Sequence, residues 1–121
     1  MSLLIVDAAN VVGSVPDGWW RDRRGAAVRL RDGLVGYGDG AEIVLVVEGA
    51  ARGVESVEGV RVESAPGSGD DRIVELAAEA AAAGAECTVV TADRELRRRV
   101  EAYGARCAGP RTVRQPPGER T

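Results

Sequence analysis

Residues 3–6, 43–47 and 88–91 form short, continuous apolar runs, and each ends at a carboxylate or within two residues of one: Asp7, Glu48 and Asp93. Runs that do not alternate polar with apolar residues belong to strands buried on both faces, the mark of a parallel sheet covered by helices. The run at 43–47 is the most strand-like and is expected at the centre of the sheet. A shorter strand is expected over 57–63, where Val60 and Val62 are apolar, and a last one around 106–108.

The intervening segments carry helical signals. Pro16-Asp17-Gly18 is turn chemistry ahead of a helix expected from Trp19 to Leu34, with Ala26, Ala27, Leu30 and Leu34 among its apolar positions; Gly36, Gly38 and Gly40 close it. Residues 8–15 read as a loop. After the loop Pro66-Gly67-Ser68-Gly69, Asp70 or Asp71 is expected to open a helix that runs through the alanine-rich stretch to Ala83 and stops at Gly84. A further helix follows Asp93, reaching about Tyr103 and stopping at Gly104. Strand and helix in alternation predict an α/β fold, a three-layer α/β/α sandwich with a mainly parallel central sheet.

The 121 residues, 45% of them hydrophobic, suit one domain with a core of its own, expected over residues 1–108. Beyond it, Pro110, Pro116, Pro117 and scattered arginines predict a flexible C-terminal tail over 109–121. No apolar run approaches the roughly 18 residues of a membrane span, and no basic leader precedes the first strand, so a soluble, cytoplasmic protein with no membrane partner is expected. Cys87 and Cys107 are too few for a disulfide scaffold and too far apart for a zinc knuckle; both read as small core residues.

The chain has no histidine, and all sixteen basic residues are arginine. This removes Ser-His-Asp and Cys-His nucleophile systems, histidine-bound zinc, Schiff-base chemistry and the P-loop lysine. Carboxylates, arginines and metal remain for catalysis. In open parallel sheets the site lies at the carboxyl ends of the strands, near the point where strand order reverses. Asp7, Glu48 and Asp93 are expected there, and the helix opening at Asp70 and Asp71 would deliver further carboxylates to what would be a hard-cation site. The formal charge of -3 does not announce a nucleic-acid binder, but Arg21, Arg23, Arg24, Arg29 and Arg31 fall in one helical stretch and Arg94, Arg97, Arg98 and Arg99 in another. Solvated helix faces account for such clusters equally well.

The run Leu4-Ile5-Val6-Asp7-Ala8-Ala9-Asn10 resembles the opening strand of NYN-domain proteins, the YacP-like branch of the PIN-like nuclease superfamily, where an aspartate and an asparagine three residues later begin the active site. Val46-Val47-Glu48-Gly49 is similar to the family's second acidic strand end, with Glu48 in place of the more usual aspartate. Ser68-Gly69-Asp70-Asp71-Arg72 resembles its acidic helix start, and Val90-Thr91-Ala92-Asp93-Arg94 its last acidic strand end. The likeness covers residues 2 to about 108, with the motifs in the family's order.

The resemblance implies a ribonuclease dependent on Mg2+ or Mn2+, with RNA as its partner. Converging carboxylates repel one another unless a cation neutralises them, and oxygen-only ligands select these two ions over zinc or copper. Asp7 and Asp93 are the first expected ligands, completed by whichever of Asp70 and Asp71 faces the cluster. Glu48 would act through water or orient the nucleophile, and the Asn10 amide would hold a carboxylate or a phosphate oxygen. Glu95 reads as a first-turn helix acid rather than an outer ligand. Trp19 with Arg21 and Arg24, and Arg94 beside Asp93, are candidate RNA contacts, with one of Trp19 and Trp20 expected in the core and the other exposed. A non-catalytic RNA-binding or interaction module with a degenerate site, or a nucleotide pyrophosphohydrolase, uses the same groups. Receiver and haloacid-type phosphatase sites are disfavoured by the missing lysine and by Asp7-Ala8-Ala9. Endonucleolytic cutting is expected, whereas homodimerisation and protein partners stay open.

Overall fold

The structure, a computed structural model, describes residues 2–37 and 40–113. Five strands, β1 (Ser2–Asp7), β2 (Glu42–Val47), β3 (Arg61–Ser64), β4 (Glu86–Val90) and β5 (Arg106–Ala108), form one parallel sheet in the order β3-β2-β1-β4-β5. The most apolar runs are therefore innermost. Val6 of β1 lies opposite Leu45 of β2 on one side and Val90 of β4 on the other. The chain steps outward from β1 through β2 to β3, then crosses back to β4 and outward to β5, so strand order reverses between β1 and β4.

Side chains alternate across each strand, and the sheet therefore feeds two cores. Leu4, Val6, Leu45, Val47 and Val90 pack with α1 (Ala8–Gly13) and α2 (Arg23–Leu34) on one face. Ile5, Val44, Val46 and Val89 pack with α3 (Gly69–Ala82) and α4 (Arg94–Glu101) on the other. This is the three-layer sandwich the alternating pattern predicts. Gly84 and Gly104 follow α3 and α4 with φ of 70° and 84°, the conformation that ends a helix. Cys87 is buried, Cys107 half-buried, and both thiols are free.

Three expectations are revised. Residues 8–13 are helix α1 rather than loop, because the Asp7 side chain accepts the Asn10 N–H and caps the turn. The helix expected from Trp19 to Leu34 is broken into a 3-10 turn (Trp19–Arg21) and α2, since Asp22 accepts the Gly25 N–H at 2.9 Å and restarts the helix. A side chain at Gly25 would sit 2.2 Å from the Asp22 carboxylate, so a glycine there lets the cap fold over the first turn. The strand expected over 57–63 is β3 alone, with Val57 and Val60 in an isolated bridge before it.

The tail expected from Gly109 begins with packed chain. Pro110–Thr112 is a 3-10 turn, the Tyr37 hydroxyl donates to the Thr112 carbonyl at 2.9 Å, and Val113 packs against the core of α1 and α2. Residues 114–121 and Gly38 lie outside the described residues. Among the described residues no helix is long and apolar enough to cross a membrane.

Candidate active site at the carboxyl edge of the sheet

The end of β1 places Asp7 at the reversal point with only 4% of its surface exposed. Both its oxygens are held: Oδ1 accepts from the Asn10 N–H at 3.4 Å and Oδ2 from the Thr91 hydroxyl at 2.9 Å. Burial pushes its carboxyl up to about 6, and the charges of Asp70 and Glu48 push the same way, against the two hydrogen bonds. Burial and acidic neighbours thus make Asp7 hold its proton more tightly than an exposed aspartate does.

Asp93 follows β4 and caps α4, its Oδ1 accepting the Leu96 N–H at 3.1 Å. Capping uses one of its two carboxylate oxygens. Between β4 and Asp93, Thr91 is fully buried, and its hydroxyl also accepts the Asp93 N–H at 3.2 Å. The Arg97 Nε donates to the Thr91 carbonyl at 2.8 Å, tying the loop down to α4. Asn10 uses its amide oxygen to accept the Ala92 N–H at 2.8 Å, so this side chain joins α1 to the loop after β4. Its NH2 group is the part left for a ligand.

The α3 terminus separates the two adjacent aspartates. Ser68, not an aspartate, is the cap, accepting the Asp70 N–H at 3.1 Å. Asp70 is half-buried and faces the other acids. Burial raises its carboxyl, and the charges of Asp93 and Glu48 raise it further while Arg99 opposes them. Asp71 is exposed and pairs with Arg99 at 2.9 Å. Glu48 reaches across from the end of β2: a Cβ built on Gly69 would lie 2.8 Å from its Oε1. Gly69 therefore leaves room for the Glu48 carboxylate against the first turn of α3. Asp7, Glu48, Asp70 and Asp93, from four separate parts of the chain, are electrostatically one group.

Among the described residues, no three acidic or thiol side chains come together closely enough to hold a metal ion. The donor chemistry suits a hard cation, because the donors are all oxygen and their mutual repulsion at Asp7 and Asp70 is only partly offset by the two hydrogen bonds to Asp7 and by Arg99 beside Asp70. Mg2+ in particular keeps several waters and is held by one or two carboxylates with substrate phosphates, without a closed protein cage.

The remaining candidates divide. Trp19 is half-buried against the core and Trp20 is 50% exposed, as the adjacent positions predict, and their rings meet edge-on with centroids 5.8 Å apart. Arg21 lies over the Trp20 ring at 5.9 Å. Arg94 is exposed on the first turn of α4, beside Asp93. Arg24 is committed elsewhere, donating to the carbonyls of Arg52 at 2.8 Å and Gly53 at 3.1 Å, and so anchors the loop after β2. Glu95 pairs with Arg98 on the helix surface, as a first-turn acid would.

Comparison with known structures places this architecture. The crystal structure of the W164L mutant of Rae1 (YacP) from Bacillus subtilis superposes with a TM-score of 0.77, covering 93% of this chain and 72% of that one at 21% identity. The chain has a YacP-like fold. This three-layer α/β/α architecture is the one the motif order suggests, and it sets all four acidic positions at one edge of the sheet. No family model matches the sequence, and no curated protein does. Sequence reasoning missed Thr91, Arg97 and Gly69. Thr91 is the polar residue that closes the last buried run, and the Thr-x-Asp spacing to Asp93 was the available signal.

Proposed function

We propose that the chain is a divalent-metal-dependent ribonuclease that cuts RNA phosphodiesters internally, as a soluble cytoplasmic enzyme. The observation that carries this reading is the placement of Asp7, 4% exposed, at the strand-order reversal, with Glu48 reaching from the end of β2 to the first turn of α3, where Asp70 lies. Such an arrangement is costly for folding and becomes favourable with a cation between the groups. The resemblance to PIN-like nucleases and the YacP-like fold support the same reading.

Asp7, Asp70 and Asp93 would hold Mg2+ or Mn2+, directly or through water, with Asp71 outside the set because Arg99 engages it. An ion held there would supply an activated water and charge stabilisation at the leaving oxygen. Glu48 positions a water proton or an outer-sphere water from across Gly69. The Thr91 hydroxyl fixes the Asp7 carboxylate, and the Asn10 NH2 donates toward a phosphate oxygen while its carbonyl holds the loop of Asp93. Arg21 and Arg94 meet the RNA backbone at the rim.

The test is cleavage of single-stranded and hairpin RNAs with Mn2+, with Mg2+ and with chelator, comparing wild type with Asp7→Asn and Asp93→Asn. Metal-dependent cutting lost in both variants is expected. Equal cutting by all three proteins, or no cutting by wild type under any condition, refutes the assignment.

A further inference from the structure

A cavity of about 300 Å³ lies beside the carboxylates, between α1, α2 and the 3-10 turn Gly49–Ala51 that follows β2. Its walls include Ala9, Ala27 and Ala50, small side chains that leave the space, with the Trp19 ring and Arg23 on one side and Glu48 on another. The volume is at the low end for small-molecule sites, suited to one planar group. Glu48 also acts on Asp7 and Asp70, so whatever fills the cavity is adjacent to the carboxylate cluster.

Resting on the nuclease reading, we propose that this cavity seats one unpaired nucleobase of the RNA strand against Trp19. An indole is a stacking surface for any base, and it binds single strands because a paired base cannot leave its helix without cost. The Arg23 guanidinium lies over the Trp19 ring, 5.3 Å from its centroid, so a base seating on that face displaces it outward, toward the phosphate that flanks the base. Trp20, edge-on to Trp19 with an interplanar angle of 86°, buttresses that ring. The apolar lining takes the base, and the acids beyond Glu48 face the adjoining phosphodiester. The site thus selects single-stranded segments and sets which bond reaches the carboxylates.

The test uses Trp20→Phe, which leaves Trp19 as the sole indole. In EDTA, Trp19 fluorescence is titrated with a single-stranded oligoadenylate and with a strand of equal length carrying abasic riboses. The expected result is quenching by the oligoadenylate and about tenfold tighter binding of it than of the abasic strand. Ala50→Leu and Ala9→Leu, which fill the cavity from two exposed positions on its rim, are expected to abolish that preference. Equal affinity for the two strands, or a preference unchanged in a folded filled variant, overturns the proposal. Cleavage is not read in this assay. Base-dependent quenching in a protein that never cuts RNA upholds the pocket and refutes the nuclease; metal-dependent cutting without that quenching does the reverse.

Discussion

The Thr91 hydroxyl donates to Asp7 Oδ2 at 2.9 Å and accepts the Asp93 N–H at 3.2 Å, so one buried side chain joins two of the candidate metal ligands from β1 and the loop after β4. A carboxylate oxygen removed from water needs such a donor. Thr91→Val keeps the volume and removes the hydroxyl. It is expected to cost about 1–3 kcal/mol in urea denaturation at neutral pH, the penalty for a buried acceptor left unpaired. Without its donor, the Asp7 carboxyl is also expected to titrate above its present position near 6, measurable by carbon-detected NMR.

Asp7 makes the metal-free protein less stable as pH rises. Its carboxyl titrates near 6 when folded and in the ordinary aspartate range when unfolded, so between about pH 4 and pH 6 the native state binds more protons than the unfolded state. Stability from this group is fully present below that window and falls as pH climbs through it, by on the order of 3 kcal/mol in total. In chelator, Asp7→Asn is expected to gain on wild type by up to that amount between pH 4 and pH 7 in paired denaturation curves. A gap that stays constant with pH contradicts the burial account of Asp7.

Gly69 separates stability from site geometry. An added Cβ crowds the carboxylate end of the flexible Glu48 side chain, at 2.8 Å from Oε1, and makes ordinary contact with its Cβ at 3.8 Å, so the carboxylate can turn away. Alanine is also the better helix former in the first turn of α3. Gly69→Ala is expected to fold with stability within about 1 kcal/mol of wild type, while Mn2+ affinity and metal-dependent cleavage both fall. Unchanged Mn2+ binding by calorimetry would remove Glu48 from the site.

The sheet was legible because its strands are unbroken apolar runs: β1, β2, β4 and β5 begin and end within two residues of where the pattern puts them. Asp7, Glu48 and Asp93 follow from the ends of the same runs, and Asp70 from the helix start after the Pro66–Gly69 loop. Helix starts were less legible, because capping depends on where one side chain folds back. Asp22 breaks the expected Trp19–Leu34 helix, Asp7 creates α1, and Ser68 takes the cap that Asp70 or Asp71 could have made. Nothing in adjacent aspartates says which one faces inward. That depends on the phase of α3 against the sheet and on Arg99, 28 residues away, which engages Asp71. The anchoring of Arg24 was illegible for a similar reason, since its carbonyl partners belong to a loop far along the chain.

The division of labour between Asp70 and Asp71 tests the central claim that Asp7, Glu48, Asp70 and Asp93 act as one cation-binding group. The measurement is Mn2+-dependent RNA cleavage by wild type, Asp70→Asn and Asp71→Asn at equal concentration. Asp71 makes an exposed ion pair worth at most about 1 kcal/mol, so Asp71→Asn is expected to keep its fold and cut within a few-fold of wild type. Asp70→Asn is expected to fold at least as well as wild type, because the charge that its acidic neighbours oppose is gone, and to lose cleavage by about a hundredfold or more, as loss of several kcal/mol of charge stabilisation does. Full activity in Asp70→Asn, or equal loss in both variants, would contradict the account.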